Sequence, residues 1–537
     1  MKKAVKVLCM LLSATLFIAL FVGCNTSSRE DMSNKSSDND SSVKSNSSNT
    51  EQTSREKMVL SWMIPTQQAI PLWETMVYKE ACEKLNVEFE LTELPVDQHE
   101  EKKRMWLASR NIPDIMSWVR ASEANSYGPA GAFAELSQYL ESDIPNLNDK
   151  IKNSPDDKYQ AFNPENKLYI APQYLFDPIP IFDFSYVSNR FEEVGVVKVD
   201  TWDEVYDGLK KLKEKYPGTY PLGFRYFGSM SKPLELFLLS FTEGKAGPYG
   251  SLVGFDYDKK EFILSMEAFG YKEAIDFFAK LYKEQLISPE YMTMDQTMLA
   301  NKIAKDKIFM IADFVGGWTG IVMLDEQTGH KLRPMPLPQA KGMKQIIGHK
   351  MPHIGGLGTA ISGALESKDP KKFKRALEFI NYMYSQEMYN TYWHHPDVCE
   401  HIDGVYKYKD IVYNTKDENY MKMRDVYFPW SLKVFQDSCD ERPLPGSPYQ
   451  KYVDSHLRAK KDMYVEYPAL PFTEEQQKVV NELTGIVTDR WNAQIALFAE
   501  GKKPMSEWDK FVSEVKLSGG DKLIALYNDV YKKYFSN

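Results

Sequence analysis

The chain has 537 residues, enough for two to four ordinary domains. Hydrophobic residues make up 43% and aromatic residues 13%, which excludes a disordered, collagen-like or coiled-coil protein. The formal net charge is −9, opposite in sign to what a general nucleic-acid binder needs.

Residues 1–23 read as an export signal: a basic start (Lys2, Lys3, Lys6), an apolar run over 7–22 broken only by Ser13 and Thr15, then Gly23. That run falls short of the roughly 20 residues that span a bilayer. Leu20-Phe21-Val22-Gly23-Cys24 resembles a bacterial lipobox, with Phe21 where the usual pattern has Leu. Cys24 is therefore the expected lipidated N-terminus, and an uncleaved anchor helix is the alternative. Residues 24–57 follow as a Ser/Asn-rich tether with almost nothing apolar to bury, and a coil of this length reaches about 30 Å. Cys82, Cys399 and Cys439 remain in the body. A Cys399–Cys439 bridge and three buried thiols are both open.

Beyond Lys57 the pattern predicts a strand over 58–64, a helix over 71–85, a strand over 87–94, a helix over 100–108 and a strand over 114–119. Such alternation implies a mostly parallel sheet. Asp256 and Asp258 suit a hairpin turn better than a pair of catalytic carboxylates. Apolar stripes at helical spacing mark core-facing helices over 271–286 and 371–384. Thr473 and Glu475 open a helix that runs towards Phe498 and stops at Gly501, another follows Pro504 and Ser506, and Gly519-Gly520 precedes a last helix over 521–534. The expected fold class is α/β with a helical C-terminal tail.

The most specific residues are Arg490-Trp491, the run from Phe498 through Gly501-Lys502-Lys503, Glu507-Trp508-Asp509-Lys510-Phe511, Gly519-Gly520, and Tyr527 through Tyr531. Weaker signals precede them in order: Ile112-Pro113-Asp114-Ile115, Thr201-Trp202-Asp203-Glu204, and the run from Tyr282 through Ser288-Pro289-Glu290. Together they resemble the lipid-anchored extracellular solute-binding proteins of sugar ABC transporters, family 1, of the LplA type. The resemblance implies a two-lobed periplasmic-binding-protein-like fold (type II) with ligand held between the lobes. Residues 58–178 and 351–425 would form lobe 1, and 179–350 and 426–537 lobe 2. Crossings are expected near 176–183, 350 and 424–431. It further implies a monomeric receptor on the extracellular face of a bacterial membrane that captures an oligosaccharide and delivers it to permease subunits, without cofactor or catalysis. Many relatives carry a calcium loop after the Thr-Trp-Asp helix. Residues 213–220 lack its run of oxygen ligands, so no structural calcium is expected there.

Sugar binding needs flat apolar rings and planar polar groups. Trp62, Trp118, Trp318, Trp393 and Trp430 are the candidate platforms, each with an ordinary core position as its alternative. Arg120, Gln173, Tyr174, Asp183 and Arg424 are the candidate polar contacts. His394, His395, Cys399 and His401 are zinc-type donors, but their spacing fits no zinc motif and favours an aromatic loop lining the cleft. The sequence has no Gly-Xaa-Ser-Xaa-Gly elbow, phosphate-binding loop or His-Glu-Xaa-Xaa-His helix. An anchored carbohydrate-cleaving enzyme and a peptide-binding or sensory receptor are the competing readings.

Overall fold

The computed structural model describes residues 56–66, 70–175, 182–225, 230–314, 329–402, 405–412, 420–429, 435–436 and 460–535. Cys24, Trp318, Trp430 and Cys439 lie outside these residues.

The chain begins as expected, with β1 (Met58–Thr66), a helix over Met76–Leu85, β2 (Val87–Pro95), a helix over Val96–Ser109 and β3 (Ile115–Arg120). The first helix starts five residues later than its pattern suggested. Thr75 caps it by accepting from the Tyr78 N–H, and Leu72–Glu74 forms a separate 3₁₀ turn. β1 is hydrogen-bonded in parallel to both β2 and β3. Leu60, Trp62 and Ile64 point into one core and Met63 into the other, so the sheet is covered on both faces, as parallel strands require.

β4 (Ala171–Leu175) is the last strand before the chain departs. The second lobe is then built from β5 (Phe182–Val187), β6 (Leu222–Phe224), a hairpin of β7 (Val253–Asp256) and β8 (Glu261–Leu264), β9 (Met310–Phe314) and β10 (Leu332–Pro334). β11 (Gly348–His349) precedes the return, and β12 (Ile354–Ile361) inserts between β3 and β4, antiparallel to both. An outlying hairpin, β13 (Cys399–Ile402) with β14 (Val405–Tyr408), follows, then β15 (Phe435–Gln436) parallel to β4 and β16 (Tyr464–Val465) parallel to β11. The first sheet has the order β15-β4-β12-β3-β1-β2 and the second β10-β5-β9-β6. The first sheet is mostly parallel, as expected, with β12 alone running against its neighbours, whereas the second is mixed because β5 is antiparallel to both β9 and β10. β15 pairs with β4, and Phe428 is buried in the same core as β1.

The family-like motifs are structural anchors. Thr201 and Glu204 form a reciprocal capping box. Trp202 behind it stacks on Phe237 at 4.5 Å and donates to Ser240 Oγ at 3.1 Å. Asp256 Oδ1 accepts from the Asp258 and Lys259 N–H groups, confirming a turn. Thr473 caps the helix Glu474–Ala499 together with Gln476 rather than Glu475. Trp491 donates to the Tyr271 hydroxyl at 3.1 Å, and Trp508 packs on Phe498 and Phe511. The last helix, Asp521–Phe535, docks through Asn528, whose side chain accepts from the Phe262 N–H (2.7 Å) and donates to its carbonyl (2.9 Å). No helix among the described residues is long and apolar enough to cross a membrane.

Trp202→Ala should destabilise the protein by about 3–5 kcal/mol through lost burial. Thr473→Ala should cost about 1 kcal/mol. Urea unfolding of both variants, followed by far-UV circular dichroism, checks the ranking.

Candidate functional site

β12 is antiparallel to both β3 and β4, so β1, β2, β3 and β4 all point the same way and share one C-terminal end. The first crossing leaves from that end at Leu175 and reaches β5 at Phe182, a span of at most about 25 Å. Leu175 closes β4 at that end of the first sheet and Phe182 opens β5 of the second, and polar and aromatic groups lie near each.

On the second lobe, Asp183 of β5 lies directly opposite Asp313 of β9. Both are buried, and facing carboxylates repel. Arg225, one residue past β6, offsets this by donating from Nη2 to Asp313 Oδ1 at 2.6 Å and from Nη1 to Gln296 Oε1 at 3.0 Å. Asp183 Oδ1 accepts from the Phe184 N–H at 2.8 Å. Close by, the Lys232 ammonium sits 4.4 Å from the centre of the Phe182 ring and pairs with Glu235 at 2.6 Å. Of Asp183, Asp313 and Arg225, Arg225 alone is not buried, with 17% of its side chain exposed, and a guanidinium can bond neighbouring hydroxyls in pairs.

On the first lobe, Trp118 is half-buried with φ +63°, unusual for a bulky residue. Its carbonyl accepts from the fully buried Lys103. Arg120 pairs with Glu100 at 2.8 Å and with Glu123 at 3.5 Å. Burial pushes the Glu100 carboxyl up, but hydrogen bonds from Arg120 and Lys103 outweigh it and hold the group below its ordinary range. Trp73 lies just past β1 and is 53% exposed. The turn that carries it is held by Glu93 of β2, which accepts from the Leu72 N–H at 3.0 Å.

The other predicted residues separate. Trp62 is in the core at 2% exposure, donating to Ser117 Oγ and packed on Phe89 and Phe379, so it presents no ligand surface. Trp393, at 1%, ends a helix and packs on Tyr392 and Phe428. Both are corrected to core residues: each faces a helix layer that a flat ligand cannot enter. Tyr174 is buried and stacks on His353, with its hydroxyl 3.5 Å from Ser154 Oγ. Gln173 is half-exposed beside it. Arg424 bonds its buried neighbour Asp425 at 2.7 and 3.1 Å. His394 and His401 stack on either side of Tyr406, and His395 turns to Glu80 and Asp397. Among the described residues no three His, Cys, Asp or Glu side chains converge as a cation site.

Arg225, Asp313, Lys232 and Trp73 were not anticipated. Asp313 had a visible signal, a charge ending the apolar run over 308–312.

Residues 77–389 match the family model described as bacterial extracellular solute-binding protein. The chain belongs to that family. Two Bacillus subtilis proteins are similar over most of this solute-binding protein. Lipoprotein LipO is 23% identical over 83% of this chain and 86% of its own. The polygalacturonan/rhamnogalacturonan-binding protein YtcQ is 21% identical over 89% and 92%. The crystal structure of the alginate-binding protein AlgQ2 matches with a TM-score of 0.73 at 18% identity, covering 89% of this chain and 99% of that one.

Beneath the Lys103 cluster, His99 is fully buried. Burial first, and the Lys103 charge second, push its imidazole down to about 4. The unfolded chain takes up this proton near pH 6.5, so the stabilisation is complete above that pH and is lost as pH falls towards 4. The loss should total about 2–4 kcal/mol. Urea unfolding at pH 7 and pH 5 should show a smaller acid-side decrease in His99→Leu than in the parent.

Proposed function

We propose that this protein is the substrate-binding lipoprotein of an ABC importer, held at the outer face of the membrane through Cys24. In this reading an oligosaccharide is captured between the lobes and handed to permease subunits in the same membrane, with no bond broken. The observation that supports the reading is a pair of unlike groups, one on each lobe, near the strand ends that the β4–β5 connection joins. The first lobe carries the half-buried Trp118 and the exposed Trp73, and the second carries Arg225, partly exposed and held by the buried Asp313 opposite Asp183. Rings suit the C–H faces of pyranoses, and paired planar groups suit their hydroxyls. Contacts from both lobes stabilise the closed arrangement over the open one, so closure follows from ligand affinity. The names of YtcQ and AlgQ2 support polysaccharide fragments as the ligand class, and that of LipO supports the anchor.

A thermal-shift panel of oligogalacturonides, alginate oligomers, neutral oligosaccharides and short peptides tests this. One glycan class at a hundred times its Kd should stabilise the fold by about 2.7 kcal/mol and be recovered uncleaved. Trp118→Ala should then weaken that ligand at least tenfold. A shift with peptides alone, or a shortened glycan, overturns the proposal. Cys24→Ala should move the protein from the membrane fraction to the medium, and retention in the membrane would refute the lipid anchor.

A further inference from the structure

Trp118 sits where a strand normally carries glycine. β12 pairs Gly358 with Val119 and then Thr359 with Ser117, skipping Trp118. Trp118 is thus the extra residue of a β-bulge, and its φ of +63° is the left-handed conformation that such a position reserves for glycine. The partner strand is adapted to the irregularity: a Cβ on Gly358 would lie 2.3 Å from the Ala171 carbonyl oxygen. Bulges re-aim side chains beside binding sites. An aromatic residue in left-handed conformation persists only when its surroundings over-determine it.

The over-determining group is Lys103. Its side chain is 0% exposed; the ammonium donates to the Trp118 carbonyl and to Glu100 Oε1, each at 2.9 Å, and pairs with Glu123 Oε2 at 2.9 Å. The two carboxylates are themselves fixed. Glu100 Oε2 accepts from Arg120 Nη1 at 2.8 Å, and Glu123 Oε2 accepts from the Arg120 N–H at 2.8 Å. Charge within the cluster is balanced, two acids against two bases. A lysine kept only for stability needs counter-ions. This one also donates to the carbonyl of the bulged Trp118.

Building on the reading that Trp118 faces ligand, we infer that Lys103 is a positioning residue: it acts on ligand affinity through Trp118 alone, by holding the bulge that aims the indole. Arg120, expected to touch ligand, belongs to this support.

The full chain labelled with 5-fluorotryptophan tests the inference without ligand, since Trp118→Phe identifies the Trp118 resonance in the fluorine spectrum. In Lys103→Met the Trp118 line should move and narrow towards that of a solvated indole, while the lines of Trp62, Trp202 and Trp393 stay in place. If Lys103→Met does not fold, Lys103→Met combined with Glu100→Gln, which restores the charge balance, is read in the same way. An unmoved Trp118 line in the folded variant overturns the inference. The second arm titrates an oligogalacturonide into the parent, Lys103→Met, Trp118→Ala and the double variant. Lys103→Met should weaken binding at least tenfold in the parent and leave it unchanged within twofold in Trp118→Ala. Equal weakening in both backgrounds, or none in the parent, overturns it. If the parent itself binds no oligogalacturonide, the ligand assignment fails, and the fluorine spectrum still decides the role of Lys103.

Discussion

The first lobe depends on a strand that arrives late. β12 occupies the centre of the six-stranded sheet, between β3 and β4, yet the whole second lobe is made before the chain returns to lay it down. Until then β3 and β4 have no common neighbour, and the C-terminal ends of the parallel strands have no fixed relation to the crossing. The fit is close. Gly358 approaches Ala171 where any side chain would collide, and Thr359 Oγ1 lies 2.9 Å from Ser117 Oγ, which also accepts from the Trp62 indole. A pairing between segments so far apart in sequence carries a large loop-closure cost before it is rewarded. The two lobes are therefore linked in assembly as well as in space.

Two charge clusters, one on each lobe and each built around a buried side chain, differ in kind. On the first lobe Glu100, Lys103, Arg120 and Glu123 satisfy one another and a backbone carbonyl, which makes the group a fixed support. On the second, Arg225 reconciles two acids that the strand register forces together. Removing one partner of such a buried set costs far more than the set contributes as a whole. Both clusters hold geometry at the end of a sheet where a loop alone would be softer.

The elements set by local chemistry were legible in the sequence. Thr201 with Glu204, Thr473 at its helix start, the turn at Asp256 and the stripe on the helix Tyr271–Lys283 all follow from neighbours within a few residues. The fold class, which rests on many such signals in order, followed with them. The site was less legible because its residues are joined only by strand pairing. Strict alternation would place Trp118 with Met116 and send Val119 to the other face. The bulge instead returns Val119 to the core that holds Met116 and takes Trp118 out of the pairing with β12. Trp62 and Trp118 look equivalent as letters, and only the partner strand tells them apart. The same holds for Asp313, whose charge was visible but whose partner Arg225 comes from another strand.

The docking of Asn528 has a consequence for how copies of the protein behave beside one another. Phe262 turns its N–H and C=O away from β7, which would leave an open edge on the hairpin. The Asn528 carboxamide takes both groups with the hydrogen-bond pattern of a strand residue, and Tyr527 and Tyr531 cover the Phe262 ring. An unpaired edge is a template on which a second chain can add a strand. Here one side chain of the last helix fills it, so a crowded population has no free register at Phe262 from which to begin aggregating.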